Sequence, residues 1–502
     1  MLRNIGSNWV VTLLTIAATY ILTPFTIHRL GSDGYGTWTL ITAMTGYMSL
    51  LALGVPMACV RYLAQHVAEG DSRKMNEAIG SCVGLYLMIG AASILIGVAL
   101  AFSFTAIYDI PVALQSQARW AFLIMALQVA GGFIGLLPEG IMFAHHDFVL
   151  RNRVRIVAVL VRLALTVTLL TLDASLVLLA VVQLICLVFD FTVCMFLIRW
   201  RYPAVRVTLA DFDWRMVRKI FSFSMYVLLL GAGARLSFET DAIVIGAILG
   251  VGAIPFYAVA NSLVVYLMDF TTAIAAVVSP MATKLNTERR RDELEAVFLR
   301  WSKVSLSISL MAGLFLIVLG PRFIAWWIGP SFEQPAGSVL QILMISSLAF
   351  LPVRGVALPI LMGLGKPRTP TIAFILAGLM NLGLSIVLAR PLGLAGVALG
   401  TAIPNVLFAA VVLVVACREL GISVASYLNY VVPRAALGGI PPLALLLWFK
   451  FGAGVQNFVG LAVAGSAMLV LFSLTWIFFV YRHDPYVDVR PQLGRLRAWA
   501  RA

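Results

Sequence analysis

The sequence predicts an all-α membrane protein of about fourteen transmembrane helices: two six-helix lobes in parallel pseudo-repeat, followed by two further helices. Three observations predict it. The 502 residues are 61% hydrophobic and only 12% charged, a balance that no single soluble core could hide. Apolar runs of about 20 residues, long enough to cross a hydrocarbon layer about 30 Å thick, recur along the whole length. The second half of the chain also echoes the first.

The apolar runs place spans at 8–28, 37–60, 80–104, 118–142, 156–172, 174–198, 221–249, 253–280, 303–320, 336–362, 370–389, 392–416, 427–449 and 456–481. The pairs divided at Asp173 and at Arg390 read as tight helical hairpins. The first run passes through Pro24 into further membrane-compatible sequence, so it reads as a retained span rather than a cleaved signal peptide. Pro56, Pro138, Pro280, Pro352 and Pro404 fall within or beside spans, where a missing backbone donor permits a kink.

Orientation follows from the short loops, because basic loops stay cytoplasmic. With the N-terminus inside, the great majority of the 36 Lys and Arg residues fall on that side, including Arg73, Lys74, Arg151, Arg206, Arg290 and Lys303. The outside segments hold Arg29, Arg119, Arg322, Arg390 and Lys450. Both termini are therefore expected in the cytoplasm of a multi-pass inner (cytoplasmic) membrane protein. The net charge of +14 is distributed over these loops and serves topology rather than nucleic-acid binding. Cys59, Cys82, Cys186, Cys194 and Cys417 lie in or beside spans without CxxC spacing, and all five read as packing residues.

The repeat is specific. Leu30-Gly31, Tyr35-Gly36 and a long apolar run closing with Pro56-Met57-Ala58 and Arg61 are matched by Leu249-Gly250, Tyr257-Ala258 and a run closing with Pro280-Met281-Ala282 and Lys284. Each copy then restarts as a charged helix, at 69–78 and at 287–299. Six spans per copy is an even number, so the copies share one orientation and form a parallel repeat. The organisation expected is an N-terminal lobe at 1–198, a cytoplasmic linker at 199–220, a C-terminal lobe at 221–416, two extra spans at 427–481 and a basic cytoplasmic tail at 482–502. Phe212, Trp214 and Val217 among Arg215, Arg218 and Lys219 mark an interfacial helix in the linker, either a mechanical connection or a membrane anchor.

Several chemistries find no support. No GxxxxGK[ST] string occurs, and Met362-Gly363-Leu364-Gly365-Lys366 lacks its spacing and hydroxyl, so ATP hydrolysis is not expected. His145-His146 are adjacent and do not share a helix face, so no metal site is read there. No loop is large enough to carry a catalytic apparatus, and neither catalytic residues nor cofactors are assigned. Gly246 to Gly250 and Gly396 to Gly400 have GxxxG spacing, which predicts close helix packing.

What stands out is charge inside the seventh span. Arg235, Glu239 and Asp241 interrupt an otherwise apolar run, and an ionisable group at membrane depth survives by facing a cavity, a substrate path or an opposite charge. Arg235 and Glu239 are four residues apart and share a helix face; Asp241 points elsewhere. Counted along the predicted span, Arg235 lies about 20 Å from its cytoplasmic start, near the midplane. A guanidinium there can hold a pyrophosphate bidentately; a structural ion pair is the competing reading. Arg29 and Arg354 are further cavity candidates, Arg162 and Arg434 weaker ones. Glu239, Asp241 and Asp269 are candidates for charge balance or ion coupling, as is Asp190.

Around Arg29-Leu30-Gly31, Tyr35-Gly36-Thr37-Trp38, Leu53-Gly54 and Arg61 the chain resembles the polysaccharide transporter (O-antigen and exopolysaccharide flippase) family of the multidrug/oligosaccharidyl-lipid/polysaccharide exporter superfamily. The same holds for Asp241 to Gly246, Tyr257 to Asn261, Gly365-Lys366-Pro367, Asn381 and Pro391 to Gly396. The resemblance covers most of residues 1–416. It implies two six-helix lobes around a central V-shaped cavity and an activity: moving a polyprenyl-pyrophosphate-linked oligosaccharide to the outer leaflet for surface polysaccharide biosynthesis. It also implies membrane lipids, a polysaccharide polymerase and other assembly proteins as partners, with H+ or Na+ as a coupling ion. The extra helix pair, by analogy with related lipid II flippases, would shape a groove for the lipid tail. Two other readings stand beside this one: a cation-coupled exporter of small amphiphiles, and a non-transporting subunit of a polysaccharide synthase.

Overall fold

Long apolar stretches dictate long helices, and the computed structural model consists of helices and short connections. It describes residues 2–52, 54–218, 231–233, 235–237, 239–482 and 484–487, with side chains from residue 7 onward, Trp9 excepted. Among these residues no strand is present. Eleven helical segments are long and apolar enough to cross a membrane. Two of them run 43 and 53 residues, twice the length one crossing needs. Each bends sharply at a glycine, Gly31 or Gly393, so each supplies two crossings. The first part of the expected seventh span, 221–230, lies outside the described residues, while most of 231–249 is described.

The chain divides into two compact units, Met1–Pro255 and Phe256–Ala502. The first holds α1 (Leu2–Met48), α2 (Val55–Glu69), α3 (Ser72–Ile107), α4 (Val112–Ala144), α5 (Phe148–Leu172), α6 (Leu176–Arg201) and the short α7 (Thr240–Ile248). Helix α4 packs on α3 and α6, while α5 packs on α1 and α6. Its core gathers Leu63, Ile79, Tyr86, Leu137 and Ile141 at almost complete burial.

The charged restart after α2 is continuous with the third span. Gly70 closes α2 in a left-handed conformation, and the Asp71 carboxylate caps α3 by accepting the Lys74 N–H at 3.0 Å. The second expected span, by contrast, is broken: α1 stops at Met48, a 3-10 turn covers Ser49–Ala52, and α2 starts afresh after Gly54. Helix α5 starts at Phe148, eight residues before the expected span.

Two expectations are corrected here. Cys59 and Cys82 are joined by a disulfide rather than packing as free thiols, because they lie at nearly equal distances before and after the Gly70 turn that brings α2 alongside α3. Cys186, Cys194 and Cys417 are free. Arg151 is not a loop cation: it is buried within α5, where Nη1 donates to Asp190 at 2.8 Å and Nη2 to Glu139 at 3.2 Å.

The linker after α6 is stitched to α3. Asn76 donates to the Ala204 carbonyl at 3.1 Å and accepts the Arg206 N–H at 2.9 Å, while Ser81 exchanges hydrogen bonds with the Asp213 backbone. Phe212 and Trp214 remain exposed beside this seam, a suitable pair for the membrane interface.

The second unit holds α8 (Ile254–Thr287), α9 (Arg291–Val318), α10 (Gly320–Trp327), α11 (Glu333–Pro352), α12 (Leu358–Gly363), α13 (Arg368–Leu420), α14 (Val424–Val431), α15 (Pro433–Leu447) and α16 (Phe458–Thr475). The C-terminal pair α15 and α16 closes on α9 through Leu446, Leu461, Met468 and Trp476.

The two glycines aligned by the repeat share one backbone state. Gly31 has φ 70° and ψ 175°, Gly250 φ 89° and ψ 159°, a region that side-chain-bearing residues rarely enter. The GxxxG strings divide. A Cβ on Gly396 would fall 2.0 Å from the Leu388 carbonyl oxygen and one on Gly400 2.3 Å from Ser385 Oγ, so that pair does serve close packing across the Gly393 bend. Gly250 touches nothing within 4 Å of such an atom, and serves the turn instead.

Candidate functional site

The embedded charges of the seventh span sit against the broken end of α1. Residues 231–233 and 235–237 are helical, Glu239 is in a turn, and α7 begins at Thr240. The helical hydrogen bond from Glu239 N–H to the Arg235 carbonyl, 2.9 Å, carries the helical spacing across that turn. Arg235 and Glu239 therefore stay on one face, and Arg235 Nη1 pairs with Glu239 Oε1. The other arm, Nη2, donates to Ser49 Oγ at 3.0 Å. Ser49 in turn donates to the Gly46 carbonyl at 2.7 Å. Tyr47 donates its hydroxyl to the Arg235 carbonyl at 3.1 Å and also meets Thr240 Oγ1.

This arrangement sits at the break in the second span. Ser49 opens the 3-10 turn at 49–52, keeps its own hydroxyl bonded back to the Gly46 carbonyl, and offers the same oxygen to Arg235. The arrangement needs Gly46. A Cβ there would lie 2.8 Å from Glu239 Oε2 and 3.0 Å from Arg235 Nη1, so the pair occupies space that any other residue would fill.

The pair is neither sealed nor fully satisfied. About a third of each side chain remains accessible, 31% for Arg235 and 33% for Glu239, while Glu239 Oε2 is buried without a hydrogen-bond partner among the described residues. A carboxylate oxygen left in that condition carries a desolvation cost that a tight structural lock would remove. Asp241 is buried in the first turn of α7.

The other candidates fall elsewhere. Arg29 is exposed near the Gly31 bend, over the Phe25 ring at 5.8 Å. Arg354 lies in the second unit within a π-helical turn, Val353–Ala357, and its guanidinium stands 5.8 Å from the Phe350 and Phe374 rings. Such turns inside helices recur at functional sites. Asp269, on α8, is the acid whose charge acts on Arg354. Arg434 donates to the Arg482 carbonyl at 3.4 Å, tying the start of α15 to the segment after α16.

Three participants were missed from sequence: Gly46, Tyr47 and Ser49 carry no charge and look like ordinary span residues. Glu139 was also passed over, although it offered a usable signal. It is an acid inside an apolar run, and it receives both Arg151 and Arg155, the latter at 2.9 Å.

Among the described residues, no group of three or more His, Cys, Asp or Glu side chains is placed to hold a metal ion.

Long kinked helices in two compact units, with an ion pair set against a broken span, define a multi-pass membrane protein. Residues 1–286 match the family described as polysaccharide biosynthesis protein, and the chain belongs to that family. The uncharacterized membrane protein EpsK of Bacillus subtilis (strain 168) is 23% identical over 416 residues, covering 80% of each chain. The lipid II flippase MurJ, in an inward closed conformation, shares the fold at a TM-score of 0.73 and 14% identity, covering 95% of this chain and 99% of its own. An inward-facing multidrug resistance MATE family transporter of the MOP superfamily aligns at a TM-score of 0.68 and 16% identity, covering 82% and 98%. These fold neighbours are a flippase and a transporter, not enzymes.

Proposed function

We propose that this protein is a flippase that carries a polyprenyl-pyrophosphate-linked oligosaccharide from the inner to the outer leaflet of the cytoplasmic membrane by alternating access, for surface polysaccharide assembly. The observation that carries the reading is the Arg235–Glu239 pair, about one-third exposed and set in membrane-spanning sequence, with one carboxylate oxygen lacking a hydrogen-bond partner among the described residues. In this reading Glu239 is a resident counter-ion. An arriving pyrophosphate displaces it and takes the planar guanidinium fork, which matches two phosphate oxygens at once. Arg29 and Arg354 serve as further cationic contacts along the path.

The lipid tail needs an apolar berth, and the second unit offers one. A cavity of about 340 Å³ is lined by Leu306, Leu348, Val406, Leu413, Val424 and Leu428, drawn from α9, α11, α13 and α14. Its lining is almost wholly hydrocarbon, which suits an isoprenoid chain. Asp241 and Asp269 are proposed to balance charge or to carry a coupling H+ or Na+. Both termini are proposed to be cytoplasmic, and a polysaccharide polymerase to take the product.

Transport of a fluorescent lipid-linked oligosaccharide in proteoliposomes tests this. Accessibility of the label to an external quencher should rise with protein, and fall to the protein-free rate in Arg235→Ala. Equal rates in protein-free and protein-bearing vesicles would refute the flippase reading.

A further inference from the structure

The first unit contains a second polar site that shares no residue with the Arg235 pair. A cavity of about 380 Å³ lies among α1, α4, α5 and α6. Helix α5 lines it with Arg155, Ala158, Val159 and Arg162, and α6 with Gln183, Cys186, Leu187 and Asp190. Both sets follow the i, i+3, i+4, i+7 spacing of one helix face. Thr15 of α1 and Gln128 of α4 complete its polar wall.

Arg162 is central to it. With α5 running from Phe148 to Leu172, Arg162 stands roughly 21 Å from one end and roughly 15 Å from the other, mid-helix rather than near an end from which it would snorkel. Its side chain is exposed on the cavity, and among the described residues it makes no hydrogen bond or ion pair. The side-chain amides of Gln128 and Gln183 also make none among the described residues.

The neighbouring charges are already matched. Glu139 takes Arg155 and one arm of Arg151; Asp190 takes the other arm of Arg151 at 2.8 Å. Three guanidinium groups against two carboxylates leave one positive charge in surplus, and it resides on Arg162. An uncompensated cation at mid-helix in a membrane protein is costly unless something pairs with it.

We propose that this cavity is a binding site for a phosphate oxyanion, held by the Arg162 guanidinium with the Gln128 and Gln183 amides as neutral donors. The surplus of one charge fits a monoanionic phosphate, either soluble phosphate or the head group of an anionic phospholipid. The site is independent of the transport reading, since its test reads binding alone.

The experiment uses full-length purified protein. Inorganic phosphate is titrated calorimetrically in gluconate buffer at constant ionic strength, and retention of phosphatidylglycerol is read by native mass spectrometry. Wild type should take up one probe or the other: phosphate uptake assigns the soluble ion, lipid retention the head group. Arg162→Gln should weaken that binding at least tenfold, and Arg162→Lys should fall between, because a point charge keeps attraction without the fork. Arg119→Gln, an exposed residue outside the cavity with the same loss of charge, should bind as wild type. Binding of neither probe to wild type, or equal binding by Arg162→Gln, overturns the proposal. Should Arg162→Gln fail to fold, the double change Gln128→Leu with Gln183→Leu takes its place: several-fold weaker binding supports the site, unchanged binding overturns it.

Discussion

Lys303 and Asp484 form an ion pair in which neither side chain reaches solvent, at 1% and 0% exposure. Lys303, which the sequence places at the cytoplasmic start of the ninth span, is buried in α9, 4.5 Å from the Tyr430 ring centre. Asp484 also accepts the Tyr430 hydroxyl at 2.7 Å and the backbone N–H groups of Tyr486 and Val487 at 3.0 Å each. Three parts of the second unit, α9, α14 and the segment after α16, thus meet at one carboxylate.

Removing one partner should therefore destabilise the second unit strongly. Asp484→Asn strands the lysine charge, and breaking a buried pair from one side costs about 3 to 5 kcal/mol. Thermal unfolding in detergent should show the loss, and Lys303→Met combined with Asp484→Leu should regain most of it. A single variant as stable as wild type would show that the pair holds nothing together.

Acid should act through the same carboxylate. Burial works to raise the Asp484 pKa, but Lys303, Tyr430 and the Tyr486 N–H outweigh it and hold the group below the ordinary carboxylate range. A depressed folded-state pKa means the contribution is complete above the unfolded value of about 4 and is lost as pH falls through the lower folded value. The stability gap between wild type and Asp484→Asn should stay level from pH 7 to pH 5 and narrow only below about pH 4. A gap that narrows near neutrality would assign the titration to another group.

Arg235 separates ligand from lock. If it holds pyrophosphate, transport should rank wild type, then Arg235→Lys, then Arg235→Ala, because lysine keeps the charge but not the fork. The double change Arg235→Ala with Glu239→Ala removes the stranded carboxylate as well, so a purely structural pair should recover in it. We expect little recovery at matched protein levels; near wild-type flipping by the double variant would reduce Arg235 to a structural part.

Gly46 offers a gentler probe of the same site. In Gly46→Ala the new methyl lies 2.8 Å from Glu239 Oε2 and 3.0 Å from Arg235 Nη1, the movable ends of flexible side chains. Folding should change by less than about 1 kcal/mol, whereas transport should fall severalfold as the pair is pushed aside. Unaltered transport would mean that the observed pair geometry does not matter to flipping.

Topology can be tested apart from mechanism. Reporter fusions after Arg73, Arg206 and Arg290 and at the C-terminus should all read cytoplasmic. A periplasmic signal from any of them would overturn the proposed orientation.

The fold class was legible because its cause is local: an apolar run of sufficient length is committed to the bilayer, whatever its neighbours. The repeat aligned Leu30-Gly31 with Leu249-Gly250, and the structure gives both glycines a backbone that few other residues accept. Charge in apolar sequence likewise pointed to Arg235 and Glu239, whose four-residue spacing alone puts them on one face. Tertiary structure decided everything that depends on which helix lies beside which. Only packing sets Ser49 of a broken span against Arg235, Asp484 against Lys303 nearly two hundred residues earlier, and Cys59 against Cys82. Only the juxtaposition of α4, α5 and α6 spends Arg151 and Arg155 on Glu139 and Asp190 and leaves Arg162 facing a cavity. Hydropathy is a property of each residue, but pairing is a property of distance, and the chain sets those distances by folding.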